Sequence, residues 1–113
     1  REVYDTITYC ANEKCAIVWV TLDMLKSLNI GEDEIEGLAS IPRQIEGVLI
    51  GITMKEKEGG FFKISVRTNG DIDAAKFCSK FGGGGHKAAA GCSINGSLED
   101  VRSQLIKAAE ETL

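Results

Sequence analysis

The chain has 113 residues, 43% of them hydrophobic and 27% charged, with 13 glycines and a single proline; that length and apolar fraction suit one hydrophobic core and leave no room for a second. An apolar share near the globular average argues against disorder, and no apolar run approaches the roughly 18 residues that a membrane helix needs. Seventeen Asp and Glu outnumber 13 Lys and Arg, giving a net charge of −4, which argues against a basic face that grips long nucleic acid by counterion release and leaves room for a small anion held by a few placed groups.

Residues 5–10 (DTITYC) and 15–20 (CAIVWV) are rich in β-branched and aromatic side chains and flank the polar ANEK, a pattern that predicts a hairpin. The second segment is apolar throughout, as expected of a strand buried on both faces. Leu22, Leu25 and Leu28 then recur at helical spacing behind Thr21, which can cap, and Asn29 and Gly31 stop the run. A second helical segment is expected from Glu32, with Ile35, Leu38 and Ala39 inward, ending before Pro42. Residues 47–54 (GVLIGITM) and 61–67 (FFKISVR), joined by KEKEGG, give the clearest hairpin signal. In the latter strand Phe62, Ile64 and Val66 point to one side, and Lys63, Ser65 and Arg67 to the other.

Asn69-Gly70 predicts a turn and Asp71 or Asp73 a cap, before a third helix with Ala74, Phe77, Cys78 and Phe81 as its apolar stripe. Residues 89–94 (AAGCSI) read as a short small-residue strand. Ser97 with Glu99 and Asp100 opens a final helix whose Leu98, Val101, Leu105 and Ala109 face the core. The order ββααββαβα predicts an α/β (α+β) fold: a mixed sheet of about five strands flanked by helices, forming one domain over residues 1–113.

Cys10, Cys15, Cys78 and Cys92 show neither CxxC spacing nor the density of a disulfide scaffold, so they read as reduced, mostly core residues. Cys10 and Cys15 flank the first predicted turn and could face each other. No signal peptide is evident and the first residue is Arg1, which leads us to expect a cytoplasmic piece of a longer protein with no membrane association.

The unusual stretch is Phe81-Gly82-Gly83-Gly84-Gly85-His86-Lys87-Ala88-Ala89-Ala90-Gly91. Each glycine forfeits about 0.5–1 kcal/mol of backbone entropy relative to alanine, so four together cost about 2–4 kcal/mol, against a typical total stability of about 5–15 kcal/mol. Such a run points to positive φ angles or to a bare backbone that a ligand approaches closely. Consecutive N–H groups can form an anion-binding nest, with His86 and Lys87 following as side-chain donors. The plainer reading is a surface loop that ends a helix with a C′ glycine. The stretch is not a P-loop, because no hydroxyl follows Lys87, nor a dinucleotide fingerprint, because it follows a helix instead of a strand.

His86 is the only histidine, too little for a two-metal or Ser-His-Asp site, so we assign no catalytic residue and no metal site to this stretch. It can donate to a phosphate when charged or contact a base when neutral. Asp71 and Asp73 are expected to cap and not to ligate. Arg67 ends a strand on its polar face, where a planar guanidinium suits bidentate phosphate binding, and Ser65 shares that face. Lys63 continues the stripe and is expected to be solvated. Arg67 and the glycines can share a pocket only if the later strand runs antiparallel to 61–67, or if the third helix lies across the sheet end. A parallel strand would put them about 20 Å apart.

Ser65-Val66-Arg67-Thr68, Asp71-Ile72-Asp73 and the run from Phe81 to Gly91 resemble the carboxy-terminal DHH-associated domain of the DHH phosphoesterase superfamily. The resemblance covers most of residues 5–113 and is anchored by GGGH followed by AAG. It implies a separate amino-terminal domain that binds manganese through Asp and His residues and hydrolyses phosphoester bonds, while the present stretch closes over the cleft and holds substrate. No DHH triplet occurs, so this stretch alone is expected to hydrolyse nothing.

The resemblance also implies substrate-binding roles for Gly83, Gly84, Gly85 and His86, and for Arg67 with Ser65 as an S-x-R phosphate signature. The four-glycine form is most similar to the branch of oligoribonucleases and 3′-phosphoadenosine 5′-phosphate phosphatases, or to cyclic dinucleotide phosphodiesterases. RecJ-like single-strand exonucleases usually carry a shorter GGH, and Ala89 stands where the family often has a polar residue. The implied ligand is a nucleotide or short oligonucleotide. Three other roles compete: a non-catalytic nucleotide-sensing module, a tRNA-editing appendage like those of alanyl-tRNA synthetase-like proteins, and a RecJ-like exonuclease domain.

Overall fold

The computed structural model describes residues 7–29, 31, 34 and 37–113. Strands β1 (Thr8–Cys10) and β2 (Cys15–Val20) pair antiparallel, with Cys10 opposite Cys15. Residues 5 and 6 of the expected first strand lie outside the described residues. Ala11, Asn12 and Glu13 all adopt left-handed φ angles of 52°, 58° and 63°, and the Lys14 N–H closes the turn on the Ala11 carbonyl at 3.1 Å. Helix α1 (Leu22–Leu28) starts where Thr21 accepts the Met24 N–H at 3.1 Å and stops at Asn29 in the left-handed region, as the capping residues predict. Much of the expected second helix, Ile35 included, lies outside the described residues. Glu34, Gly37 and Leu38 are helical and Ala39 is buried.

A 3-10 turn (Pro42–Gln44) leads to β3 (Ile50–Lys57), which runs parallel to β2, and β4 (Phe61–Thr68) returns antiparallel to β3. Strand β3 is shifted three residues from the expected 47–54. Gly47 has φ 86° and belongs to the preceding turn, while Lys55, Glu56 and Lys57 pair with Lys63, Phe62 and Phe61. The hairpin turn is therefore Glu58–Gly60, not the whole of KEKEGG.

Helix α2 (Ala74–Ser79) is capped by Asp73, whose carboxylate accepts the Lys76 N–H at 3.1 Å. Strands β5 (Gly84–Gly85) and β6 (Ala89–Asn95) follow, and α3 (Leu98–Thr112) opens on Ser97, which accepts the Asp100 N–H at 3.2 Å. The six strands are ordered β1-β2-β3-β4-β6-β5, with only β2 and β3 parallel. The fold is thus the expected mixed sheet flanked by helices. The sixth strand is the glycine pair itself, which has neither β-propensity nor alternation to betray it.

One face of the sheet carries the main core. Ile17, Ile52, Ile64, Val66 and Ile94 pack there with Phe77 of α2 and Val101 and Leu105 of α3. On the other face Val20 and Met24 make a smaller cluster with Leu25 and Leu38. Its β4–β6 side is left open, with Lys63 and Ser93 exposed and Ser65 and Arg67 half-buried. No helix among the described residues is long and apolar enough to cross a membrane.

The 3-10 turn crosses this second face directly over Gly51. A Cβ there would lie 2.5 Å from the Arg43 nitrogen and 3.0 Å from Pro42. Gly51→Ala should therefore lower stability by about 1–3 kcal/mol through overpacking, read as a lower urea midpoint at unchanged m-value.

Candidate functional site

Cross-strand register arranges the open face into rows. Gly51, Arg67 and Ala89 are successive partners across β3, β4 and β6. Thr53, Ser65, Gly91 and Gly84 form the next row across four strands, and Lys55, Lys63 and Ser93 the third. The His86 N–H donates to the Ala89 carbonyl at 2.8 Å and the Ala89 N–H to the His86 carbonyl at 3.3 Å, which extends the first row to His86. Rows two residues apart are separated by about 7 Å, and β4 lies about 10 Å from β5 with β6 between them.

These rows floor a cleft of about 550 Å³, lined by Arg67, Ser65, Gly84 and Gly85 together with Thr53, Lys55 and Lys63. Four of the six expected site residues thus meet in one cavity. The other two do not line it: Gly83 is wedged behind the floor against Gly91 and Cys92, and His86 is exposed at the end of the Arg67 row. Strand β6 runs antiparallel to β4, the first of the two arrangements that allow a shared pocket.

Thr68 fixes the geometry. Its N–H donates to the Ala88 carbonyl and its Oγ1 to the Lys87 carbonyl, both at 3.1 Å, while the Ala74 N–H reaches the same Lys87 carbonyl at 2.6 Å. The end of β4, the turn after the glycines and the start of α2 are therefore tied at one point, directly after Arg67. The Arg67 Nη1 donates to the Val66 carbonyl at 3.2 Å, which leaves most of the guanidinium's five donors available to a ligand. The lining holds three cations and no carboxylate among the described residues, in a chain of net charge −4.

The four glycines separate by cause. The Gly82 N–H donates to Ser79 at 3.1 Å and the Gly83 N–H to Cys78 at 3.0 Å, with Gly82 at φ 80°; this is a Schellman ending for α2. A Cβ on Gly83 would run into the Gly91 carbonyl and come within 2.6 Å of Cys92, and one on Gly85 would lie 2.7 Å from Ala90. At Gly84 a Cβ meets nothing within 4 Å. Its bareness serves no internal packing, and it faces the cleft.

Thr68, Thr53, Lys55 and Ser93 were not singled out from sequence. The missed signal was alternation in β3, where Ile50, Ile52 and Met54 face the core and Gly51, Thr53 and Lys55 the other side, Gly51 under the 3-10 turn and Thr53 and Lys55 on the cleft. Lys63 is exposed as expected, yet it stands on the cleft wall. All four cysteines are free, three of them buried. A hydrogen bond with Cys92, together with burial, pushes the Cys78 thiol up, and both thiols are buried among the core residues behind the glycines. Among the described residues no three His, Cys, Asp or Glu groups are placed to hold a metal.

The DHHA1 domain model matches residues 12–113. The chain belongs to the DHHA1 domain family, an accessory domain of DHH phosphoesterases. It is 30% identical over 83 residues to the bifunctional oligoribonuclease and PAP phosphatase NrnA of Thermus thermophilus, an alignment covering 73% of this chain and 25% of that protein. In fold it is similar to an exopolyphosphatase-related protein from Bacteroides fragilis, with TM-score 0.83, 23% identity, and coverage of 96% of this chain and 33% of that one. It is also similar to the pGpG-specific phosphodiesterase PggH of Vibrio cholerae, with TM-score 0.62, 17% identity, and coverage of 98% and 37%. The chain thus spans a quarter of the curated relative and about a third of each solved chain.

In this DHHA1 domain the S-x-R segment on β4 and the glycine pair on β5 flank β6 and line one cleft. The separation of causes among the glycines gives a direct expectation. Gly83→Ala should cost about 1–3 kcal/mol of stability through its clash with β6, whereas Gly84→Ala should stay within about 0.5 kcal/mol of the parent. Thermal or urea melts of the two variants check it.

Proposed function

We propose that this chain is the substrate-binding domain of a DHH-family phosphoesterase that hydrolyses short oligoribonucleotides or small nucleotides such as 3′-phosphoadenosine 5′-phosphate. One phosphate would be gripped between Arg67 and the bare backbone at Gly84–Gly85. The observation that carries this reading is the β4–β6–β5 register, which places the guanidinium and the open glycine on one face of one cleft. Kinship with the Thermus protein, named for oligoribonuclease and PAP phosphatase activity, supports the ligand class.

In this reading the chain's own residues bind and orient. The Arg67 guanidinium offers paired donors to phosphate oxygens, Ser65 adds a hydroxyl from the neighbouring row, and Gly84 admits the phosphate to within contact of backbone. His86, at the end of the Arg67 row, donates to the ligand from the rim. The rest of a longer polypeptide, a DHH domain with its metal, would supply the hydrolytic chemistry. The free cysteines suit a reducing, cytoplasmic setting.

Arg67→Ala in the full-length polypeptide should weaken binding of 3′-phosphoadenosine 5′-phosphate or a short oligoribonucleotide about 10- to 100-fold, the loss of a charge-assisted hydrogen bond worth about 1.5–3 kcal/mol. His86→Ala should weaken it by about 2- to 10-fold, as for an ordinary hydrogen bond of about 0.5–1.5 kcal/mol. Calorimetric titration with parallel turnover assays reads both. Unchanged affinity in Arg67→Ala overturns the proposal, and tight binding with no turnover by the parent would favour a sensing module.

A further inference from the structure

Two residues after Arg67, Asn69 ties down a part of the chain far from it in sequence. An asparagine in a turn ordinarily bonds backbone within a few residues of itself. Asn69 instead reaches across the fold. Its Nδ2 donates to the Arg43 carbonyl at 2.9 Å and to the Val48 carbonyl at 3.0 Å, 26 and 21 residues away. Its N–H donates to the Leu49 carbonyl at 2.9 Å. Side-chain and backbone donors of one residue thus converge on a single stretch of chain.

That stretch, residues 38–48, is a succession of tight turns lying on the second face of the sheet. The Ile41, Gln44, Ile45 and Val48 N–H groups donate to the Leu38, Ile41, Pro42 and Ile45 carbonyls at 2.9–3.3 Å. Pro42 and Arg43 sit on Gly51, the cross-strand partner of Arg67, and Ala39 lines the cleft. The stretch therefore forms the β3 margin of the cleft, and β5 the opposite margin. Thr68 holds the β5 side through the Lys87 and Ala88 carbonyls, and Asn69 holds the β3 side. Arg67, Thr68 and Asn69, consecutive in the chain, thus offer a guanidinium to the cleft and clasp its two margins. Packing also holds residues 38–48, at the Gly51 seat and where Leu38 meets Val20 and Met24. Apolar packing is non-directional, however, and two converging hydrogen bonds fix orientation in a way that it does not.

We propose that Asn69 is a positioning residue for the cleft: it sets the β3 margin relative to Arg67, so that a ligand meets a preformed slot and need not order residues 38–48 on binding. This rests on the reading that Arg67 and Gly84 hold a phosphate. Preorganisation is felt as affinity, while the reacting bond, assigned by that reading to the rest of the polypeptide, is untouched. A loss of positioning therefore raises KM and leaves kcat in place. Simple destabilisation does the opposite, because it removes folded molecules, lowering apparent kcat without moving KM.

The test uses the full-length polypeptide, 3′-phosphoadenosine 5′-phosphate as substrate, and the variants Asn69→Ala, Asn69→Asp and Ser97→Ala. Asn69→Ala removes the two side-chain bonds, and Asn69→Asp keeps the shape but sets a carboxylate against two carbonyls. Ser97→Ala removes the α3 cap, a comparable loss of stability on the core face of the sheet, away from the cleft. Both Asn69 variants should raise KM about 3- to 10-fold, the range of an ordinary hydrogen bond, with kcat within about twofold of the parent. Calorimetric affinity should fall by the same factor, and amide exchange at Gln44, Ile45 and Val48 should quicken. Ser97→Ala should leave KM and affinity within about twofold of the parent.

Parent-like KM and affinity in Asn69→Ala or in Asn69→Asp, while Arg67→Ala still weakens binding, overturn the positioning role and leave the phosphate grip standing. An equal rise of KM in Ser97→Ala also overturns it, since instability is then the cause. Indifference of binding to Arg67→Ala removes the grip, and the positioning role with it.

Discussion

Antiparallel pairing of β4 with β6 sets Arg67 opposite Ala89 and Ser65 opposite Gly91, and on the far side of β6 brings Gly84 opposite Gly91. Every feature of the cleft follows from that register. Because strand side chains alternate with period two, a slip of one residue would send Arg67 and Ser65 into the core and expose the residues between them. Phe62, Ile64 and Val66 on β4, with Cys92 and Ile94 on β6, are all buried on the opposite face. Burying a large apolar side chain is worth about 1.5–3 kcal/mol, so the core holds the site in register from behind. Thr68 then fixes the end of β4 through its two bonds to the Lys87 and Ala88 carbonyls, so the position of Arg67 does not depend on a free loop.

The glycine run looks costly when its four residues are counted alike. The structure shows unlike cases. Gly82 ends a helix, where a left-handed residue satisfies carbonyls that would otherwise be unpaired. Gly83 and Gly85 let β5 pass close against β6, near Gly91 and Ala90. Those three are explained by folding alone, so the plain reading of a helix-ending glycine holds for part of the run. Gly84 stands apart, since no internal contact needs it bare. Gly84 lines the cleft with Gly85 beside it, and the entropy forfeited at the other three glycines is offset by bonds and packing within the fold.

Much of this was legible in the sequence because period and caps are local. The β2 segment, the alternation in β4, and Thr21, Asp73 and Ser97 as caps all follow from residues within one turn or strand. Family motifs likewise pointed to Ser65, Arg67 and the glycines. Direction and depth were not legible. Whether β6 runs with or against β4 is a long-range choice, and residues 81–88 leave both routes open until Thr68 and Ala74 bind the Lys87 and Ala88 carbonyls. Strand β3 was misplaced because the apolar run beginning at Gly47 hid the alternation that starts at Ile50, and with it the cleft-facing Thr53 and Lys55. Gly83 and His86 share a motif with Gly84 but not its position, since Gly83 precedes β5 and is packed against β6, while His86 follows β5 in the turn back to β6.

The location of the positive charge is also determined by what the helices cannot offer. A helix N-terminus is the commonest ready-made anion site, because its first N–H groups point outward along the dipole. In α2 those groups are occupied: the Lys76 N–H by the Asp73 carboxylate, and the Ala74 N–H by the Lys87 carbonyl. At α3, Ser97 caps and Glu99 and Asp100 fill the first turn. With these N–H groups engaged internally, side-chain cations and bare strand backbone on the sheet face supply the attraction for an anion in the cleft. Arg67, Lys55 and Lys63 line the cleft there, and the described lining residues include no carboxylate. The overall acidity of the chain therefore says little about the sign of its ligand. Field strength in a cleft is governed by the charges that line it, and the remaining acidic surface is screened over about a Debye length.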